Sequence, residues 1–448
     1  MISSGALKKR HTSWRLPVGL GISQKSLTDL IMVWAGTIIG AFVGMVAQMV
    51  TARTLGTEDY GTLSGALSIA ALAAPLAVFG TTQYWLKAFG DEGWGAKRWI
   101  RPSLVFLTIS TIFIIAAIAL WAKFGPNDSR SQFVILALLI TIVSVASIEI
   151  VSTKYQLEQK YGKFSILGLV TPLSRLIVAI IVVLTASLSD KLILTAIGYC
   201  LASIAILAGL TLPLKRLWNK RIDLKGHDVE LLTFPQSDAS IRHMLSQSWV
   251  FGIAGLLYLG WSQGHIVVAT YAIGSHDAGI YSVALVILNA ACLLPAVAFS
   301  KFLLPKIHRW ASHDFKKLKL FNRWSSILMF GVGAVTAVLL YFGSDLAIRL
   351  AFGEEYGGAA TVLKVLALTL PMRFLGYNAG AMLRTKRYMQ IKIAILIVAV
   401  IFNLLLAFLF IPQWGVIGLA ATVSITEFIL VASYVYVVQF HYFKEERI

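Results

Sequence analysis

The chain has 448 residues, of which 58% are apolar and only 13% charged, and its mean hydropathy is +0.78. A soluble globule of this size needs a polar skin that such a composition cannot supply, which excludes a soluble enzyme, a disordered chain and a secreted disulfide scaffold. The formal charge is +18, from 39 Lys+Arg against 21 Asp+Glu; in a membrane protein this excess marks cytoplasmic loops rather than a nucleic-acid surface.

In chain order, residues 1–28 form a basic polar tail with Lys8, Lys9, Arg10, Arg15 and Lys25. A helix needs about 20 apolar residues to cross a bilayer. Twelve stretches meet that need, at 29–50, 62–86, 102–122, 132–153, 165–187, 191–212, 246–271, 278–304, 324–343, 359–382, 390–411 and 415–439. The runs are continuous rather than alternating, so a closed barrel is excluded. The first is too long for a signal-peptide core and lacks an A-x-A site, so it is expected to be retained. The expected fold is an all-α polytopic membrane protein with about 12 transmembrane helices. Its expected parts are the tail 1–28, a six-helix lobe 29–212, a flexible cytoplasmic linker 213–245, a second six-helix lobe 246–440 and a tail 441–448.

With the N-terminus in the cytoplasm, 31 of the 39 Lys and Arg fall on cytoplasmic segments. Five (Arg53, Lys123, Arg130, Lys191, Arg349) fall on the opposite side and three (Arg175, Lys364, Arg373) within spans. This asymmetry predicts that both termini are cytoplasmic. The basic segments 213–245 and 301–323 are expected to face anionic membrane lipids. Cys200 and Cys292 lie in apolar runs and read as small hydrophobes. The eight histidines show no metal-ligand spacing, and no cofactor or metal is expected.

The two lobes are internally related. Leu55–Leu67 (LGTEDYGTLSGAL) aligns without a gap to Ile273–Leu285 (IGSHDAGIYSVAL), with Gly56/Gly274, Asp59/Asp277, Gly61/Gly279, Ser64/Ser282, Ala66/Ala284 and Leu67/Leu285 identical. A weaker echo relates Thr153–Ile166 to Gly380–Ile393. Each half has an even number of spans, so the repeats are parallel and their pseudo-two-fold axis runs along the membrane normal. Two such lobes suggest alternating access around a central cavity.

The order A-R-x-L-G-x-x-x-Y-G (Ala52, Arg53, Leu55, Gly56, Tyr60, Gly61) follows the first span. N-L-L at Asn403 and then I-P-x-x-G-x-x-G-x-A-x-T (Ile411, Pro412, Gly415, Gly418, Ala420, Thr422) join the last two. With these motifs on a twelve-span frame, the chain from about residue 28 to 440 resembles the polysaccharide-repeat-unit flippases. These are the O-antigen and exopolysaccharide translocases of the multidrug/oligosaccharidyl-lipid/polysaccharide exporter superfamily. The resemblance implies a flippase of lipid-linked oligosaccharide, on undecaprenyl diphosphate, in the bacterial cytoplasmic (inner) membrane. It also implies polysaccharide polymerase and glycosyltransferase neighbours.

Moving a diphosphate through an apolar core calls for cations, and arginine pairs phosphate through a planar fork. Arg175, near the middle of its span, is the first candidate, followed by Arg53 and Arg373. Arg175 has a second reading, an ion pair with Glu149, and Arg53 a second reading as the cap of the glycine turn. Lys364 and Arg373 cannot face one cavity unless Pro371 bends the helix, and one of them has the alternative of pairing with Glu427. Gln48, Gln83, Trp261, Asn289 and Asn378 are candidates to meet sugar, or else join helices. Glu149 and Glu427 are candidates for coupling to H⁺ or Na⁺, or else form structural salt bridges. The Gly36, Gly40, Gly44 series reads as a close-packing ridge.

A drug/cation antiporter of the same superfamily is the rival reading, and would call for an acidic cavity. A glycosyltransferase or polymerase would need large extramembrane loops. No P-loop, G-x-S-x-G or metal cluster appears, so an enzyme is not expected.

Overall fold

The computed structural model describes residues 24–185, 190–224, 239–384 and 388–443, and wherever it does so the twelve apolar stretches lie on helix except at the turns 79–80 and 368–369. In the N-terminal half, α1 (Gln24–Val78), α2 (Thr81–Glu92) and α3 (Ile100–Phe124) precede α4 (Ser129–Leu157), α5 (Tyr161–Thr185) and α6 (Lys191–Trp218). In the C-terminal half, α7 (Ile241–Ala272), α8 (Ser275–Val297), α9 (Leu304–His313) and α10 (Phe315–Phe352) are followed by α11 (Gly358–Ala367), α12 (Leu370–Met382) and α13 (Met389–Val437). Eight stretches among the described residues are long and apolar enough to cross a membrane, or nine if the bent pair α11–α12 counts as one span. Ile31–Phe124 contains the first three expected spans and Met389–Tyr442 the last two, so twelve crossings fit these helices. The described residues form an all-α, multi-pass membrane protein.

The breaks fall where the sequence lets the backbone turn. Gly56 divides α1 at φ +78°, and its repeat partner Gly274 separates α7 from α8 at φ +120°. Both conformations lie in the region open to glycine. The second span of each half then bends at its far end, by different means. Phe79 and Gly80, at φ +39° and +72°, part α1 from α2 after Pro75, whereas a π-helical turn over Ala298–Leu303 follows Pro295. The tenth span bends by 49° between α11 and α12, with Pro371 in the first turn of α12.

Within the N-terminal half, α1 packs on α5 and α4 on α6. The expected glycine ridge is the contact: an added Cβ on Gly36 would lie 2.9 Å from Ser165 Cβ, and Gly40 and Gly44 face Leu169 and Pro172. In the C-terminal half, α10 packs on α11 and α12, and α13 on α7, α11 and α12.

The halves meet through the repeat itself. An added Cβ on Gly61 would lie 1.7 Å from the Ser275 carbonyl oxygen, and one on Gly279 would lie 2.1 Å from that of Thr57. The reciprocity puts the pseudo-two-fold axis between these two glycines. At the opposite, lysine- and arginine-rich end, Gly80 abuts the α7 backbone at Ser248 and Gly252, and Trp99 stacks on His243 with centroids 5.4 Å apart.

The expected linker does not begin as free chain. Helix α6 runs on to Trp218, and Ile222 and Leu224 are buried against the N-terminal helices. Glu158, in the turn after α4, takes Lys154 and Lys160 as ion partners and accepts the Asp223 N–H at 3.2 Å. Burial alone would raise the Glu158 carboxyl, but the two ammonium groups and this N–H outweigh it and hold the group below the ordinary carboxylate range. Residues 225–238 of the linker, 1–23 of the first tail and 444–448 of the last lie outside the described residues.

Candidate central cavity between the halves

A cavity of about 500 Å³ lies on the seam between the halves. Its N-terminal wall comes from both parts of α1 with Arg175 of α5 and Tyr199 of α6, and its C-terminal wall from α7 and α8. Three of the sequence candidates, Gln48, Arg175 and Asn289, are brought together here. Gln263 also lines the cavity, as do Tyr60, Ser64, Tyr199 and Ser282, which were not among the candidates. The identity of Ser64 and Ser282 in the repeat was the signal that could have found two of them.

Arg175 is the one Lys or Arg among the lining residues, which include no Asp or Glu. Its guanidinium sits 5.7 Å from the Tyr199 ring centroid, an arrangement that favours a cation over the ring face. Behind it, a niche inside the N-terminal half is lined by hydroxyls of Thr141, Ser144, Ser174 and Ser203. Among the described residues no carboxylate lies within pairing distance of Arg175. The alternative partner Glu149 accepts instead from Thr82 Oγ1 at 2.7 Å, just past the Phe79–Gly80 break. The two walls also touch across the seam, where Ser68 Oγ donates to Gln263 Oε1 at 3.5 Å.

The other candidates lie elsewhere. Arg53 is exposed and donates to the Leu350 carbonyl across the seam, beside Tyr356 Oη, which donates to the Ala52 carbonyl at 2.9 Å. Next to it, Thr57 N–H donates to Glu355 Oε1 at 3.1 Å and Thr57 Oγ1 meets His276 Nδ1 at 2.8 Å, so Arg53 belongs to an interhelical clasp. Arg373 pairs with Glu427 at 3.6 Å inside the C-terminal half, with side chains 17% and 8% exposed. Lys364, across the 49° bend, pairs with Asp345 at 2.6 Å. The bend thus sends the two cations to separate acids rather than into one cavity.

Asn378 is fully buried and donates to Asn322 Oδ1 at 3.1 Å and Ser326 Oγ at 2.8 Å. Trp261 packs edge-on against His265, whose Nε2 meets Asn403 Oδ1 at 3.2 Å, and Asn403 in turn donates to Thr426 Oγ1 at 3.2 Å. These groups bond to one another within the C-terminal half, away from the seam cavity. Gln83 is exposed on α2, where its Oε1 lies 2.8 Å from Thr82 Oγ1.

Comparison with known proteins agrees with this architecture. The family described as polysaccharide biosynthesis protein matches residues 26–310. The capsular polysaccharide biosynthesis protein CapF of Staphylococcus aureus is 23% identical over 414 residues, covering 90% of this chain and 96% of CapF. The fold is similar to that of the lipid II flippase MurJ in an inward closed conformation, with a TM-score of 0.67 and 16% identity over 91% of this chain and 87% of that one. It is also similar to an inward-facing multidrug resistance MATE family transporter of the MOP superfamily, with a TM-score of 0.66 and 14% identity over 91% and 97% of the two chains. The chain belongs to the polysaccharide biosynthesis protein family and has the fold of the MOP-superfamily transporters.

Proposed function

We propose that this protein is an alternating-access flippase that carries undecaprenyl-diphosphate-linked oligosaccharide units from the cytoplasmic to the outer leaflet of the bacterial inner membrane. The glycan then serves surface polysaccharide synthesis, and both termini are cytoplasmic. The observation that carries this reading is the seam cavity with Arg175 as its cation and no acid in its lining. An anionic headgroup entering a low-dielectric space needs a compensating charge there. Arg175 offers one, set over the Tyr199 ring face beside a niche lined by Ser and Thr residues rather than neutralised by a carboxylate. The neutral amides and hydroxyls around it suit a glycan. A drug/cation antiporter would call for the reverse polarity.

The lobes would exchange access by rocking about the Gly61–Gly279 contact. Between the two coupling candidates we assign Glu149: Glu427 is already matched by Arg373, whereas Glu149 meets a hydroxyl and no cation among the described residues. Its hydrogen bond reaches Thr82, so a change in its charge would act directly at the Phe79–Gly80 break.

The test is a deletion strain whose lipids are extracted and analysed by mass spectrometry, with Arg175→Ala as a second strain. Accumulation of a complete undecaprenyl-diphosphate-linked unit, with loss of surface polysaccharide in both strains, is the expected result. Unchanged lipids together with new sensitivity to cationic dyes would overturn it in favour of the antiporter.

A further inference from the structure

We infer that the two walls of the cavity divide the substrate between them: Arg175 holds the phosphate from the N-terminal side, while Gln263 and Asn289 read an uncharged sugar from the C-terminal side. The inference rests on the flippase reading and goes beyond it in assigning specificity to named residues of one half.

The repeat makes the comparison position by position. Ser64 and Ser282 are equivalent and both line the cavity, so the two walls are in register there. Continuing that register by seven residues places Ala71 opposite Asn289, and both of these line the cavity too. The same site on two related walls therefore carries a methyl group on one side and a carboxamide on the other. The backbone is shared, and the difference is purely one of side-chain chemistry.

A carboxamide brings two donors and an acceptor, the complement of vicinal hydroxyls or of an acetamido group. Gln263 presents a second carboxamide on the same wall. Its cross-seam bond from Ser68 is long at 3.5 Å, so a sugar hydroxyl can replace that contact at small cost. All the formal charge of the lining lies on the other wall, at Arg175. A sugar bearing its own carboxylate would meet no further cation in the lining, and an amino sugar with a free ammonium would meet no carboxylate there. The lining thus selects a neutral sugar beside the phosphate.

The test uses the full chain in lipid nanodiscs, titrated with bare undecaprenyl diphosphate and with the same lipid carrying one N-acetylglucosamine, and read by native mass spectrometry. The unaltered protein should bind the sugar-bearing lipid about tenfold more tightly. The double variant Asn289→Ala/Gln263→Ala should bring the ratio of the two affinities close to one. Arg175→Gln should weaken both lipids by about 10- to 100-fold while keeping the ratio, and Arg175→Lys should recover part of the loss for both. The division is overturned if the unaltered protein binds the two lipids equally, if the double variant keeps the ratio, or if Arg175→Gln abolishes it. Failure of the unaltered protein to bind either lipid overturns the lipid-diphosphate reading and the division with it.

Discussion

Arg175 and Arg373 are both arginines on membrane-spanning helices, one in each half, and they meet opposite surroundings. Arg175 faces the seam cavity over Tyr199 with hydroxyls behind it. Arg373 lies against Glu427 within its own half, near the linked His265, Asn403 and Thr426. The difference extends to the acids, since Glu427 has a cation and Glu149 has only Thr82. Two halves that share a backbone repeat thus use buried charge differently. Arg373 and Glu427 close on one another, whereas Arg175 faces the seam and Glu149 meets only a hydroxyl. The unlike partners imply unlike responses to substitution.

The largest effect is expected at Arg373 and Glu427. Removing one member of a buried pair strands the other charge, which costs about 3–5 kcal/mol, whereas replacing both by apolar side chains is often neutral. Glu427→Gln and Arg373→Met should each sharply lower the thermal unfolding temperature of the purified protein, and Arg373→Met/Glu427→Leu should recover most of the loss. If Glu427→Gln folds normally and abolishes ion-driven transport, the assignment of the two acids is reversed.

Glu158 tests how much the closed charge cluster of the N-terminal half, away from the cavity, contributes to stability. Its side chain is 1% exposed, with Lys154 beside it 4% exposed. Glu158→Gln should cost about 3 kcal/mol, again by stranding a buried ammonium. The pH dependence has a definite sign. The folded carboxyl lies below its unfolded value of about 4.3, so its contribution is complete above that value and is lost as pH falls through the folded one. Acid should therefore lower the melting temperature of the unaltered protein more than that of Glu158→Gln.

How far this was legible from sequence follows the same physics. The spans were legible because crossing a bilayer imposes a length of apolar residues, and the seam was legible because Gly56, Gly61, Gly274 and Gly279 stand in register. Arg175 was legible as a charge deep in a span. What stayed open was partnership, since Glu427 was offered as a partner to either Lys364 or Arg373 without deciding between them. Whether Arg373 meets a cavity or Glu427 depends on the 49° bend before it and on the packing of α13, neither of which is encoded in residue spacing. Asn378 likewise reads as a polar group in a span, and only the approach of α10 supplies Asn322 and Ser326. Tyr199 was overlooked because a lone tyrosine in a span carries no local sign of the surface it faces.

A smaller stability effect is expected at Glu149. No cation is stranded when its charge is removed, so Glu149→Gln should change stability by about 1 kcal/mol or less. Transport should nonetheless stop responding to an imposed proton or sodium gradient, a response that proteoliposome flux with and without the gradient would measure. A response kept in Glu149→Gln would remove Glu149 from the coupling role.

The smallest effect is expected at Arg130, and it sharpens the comparison because the repeat supplies its own control. Arg130 reaches Asp59 at 3.2 Å and Asp190 at 2.6 Å. Asp277, the repeat partner of Asp59, forms no ion pair among the described residues and instead sits in the first turn of α8, where a helix N-terminus favours an acid. The same aspartate therefore serves the same turn with and without a cation. Arg130 is 49% exposed, so water and salt screen its pairs. Arg130→Ala should cost about 0.5 kcal/mol, and the loss should vanish in high salt. A loss several times larger and indifferent to salt would mean that Arg130 clamps α1, α4 and α6 together. Closed charge at the Asp59 turn would then be as much a structural device as it is around Arg373 and Glu427.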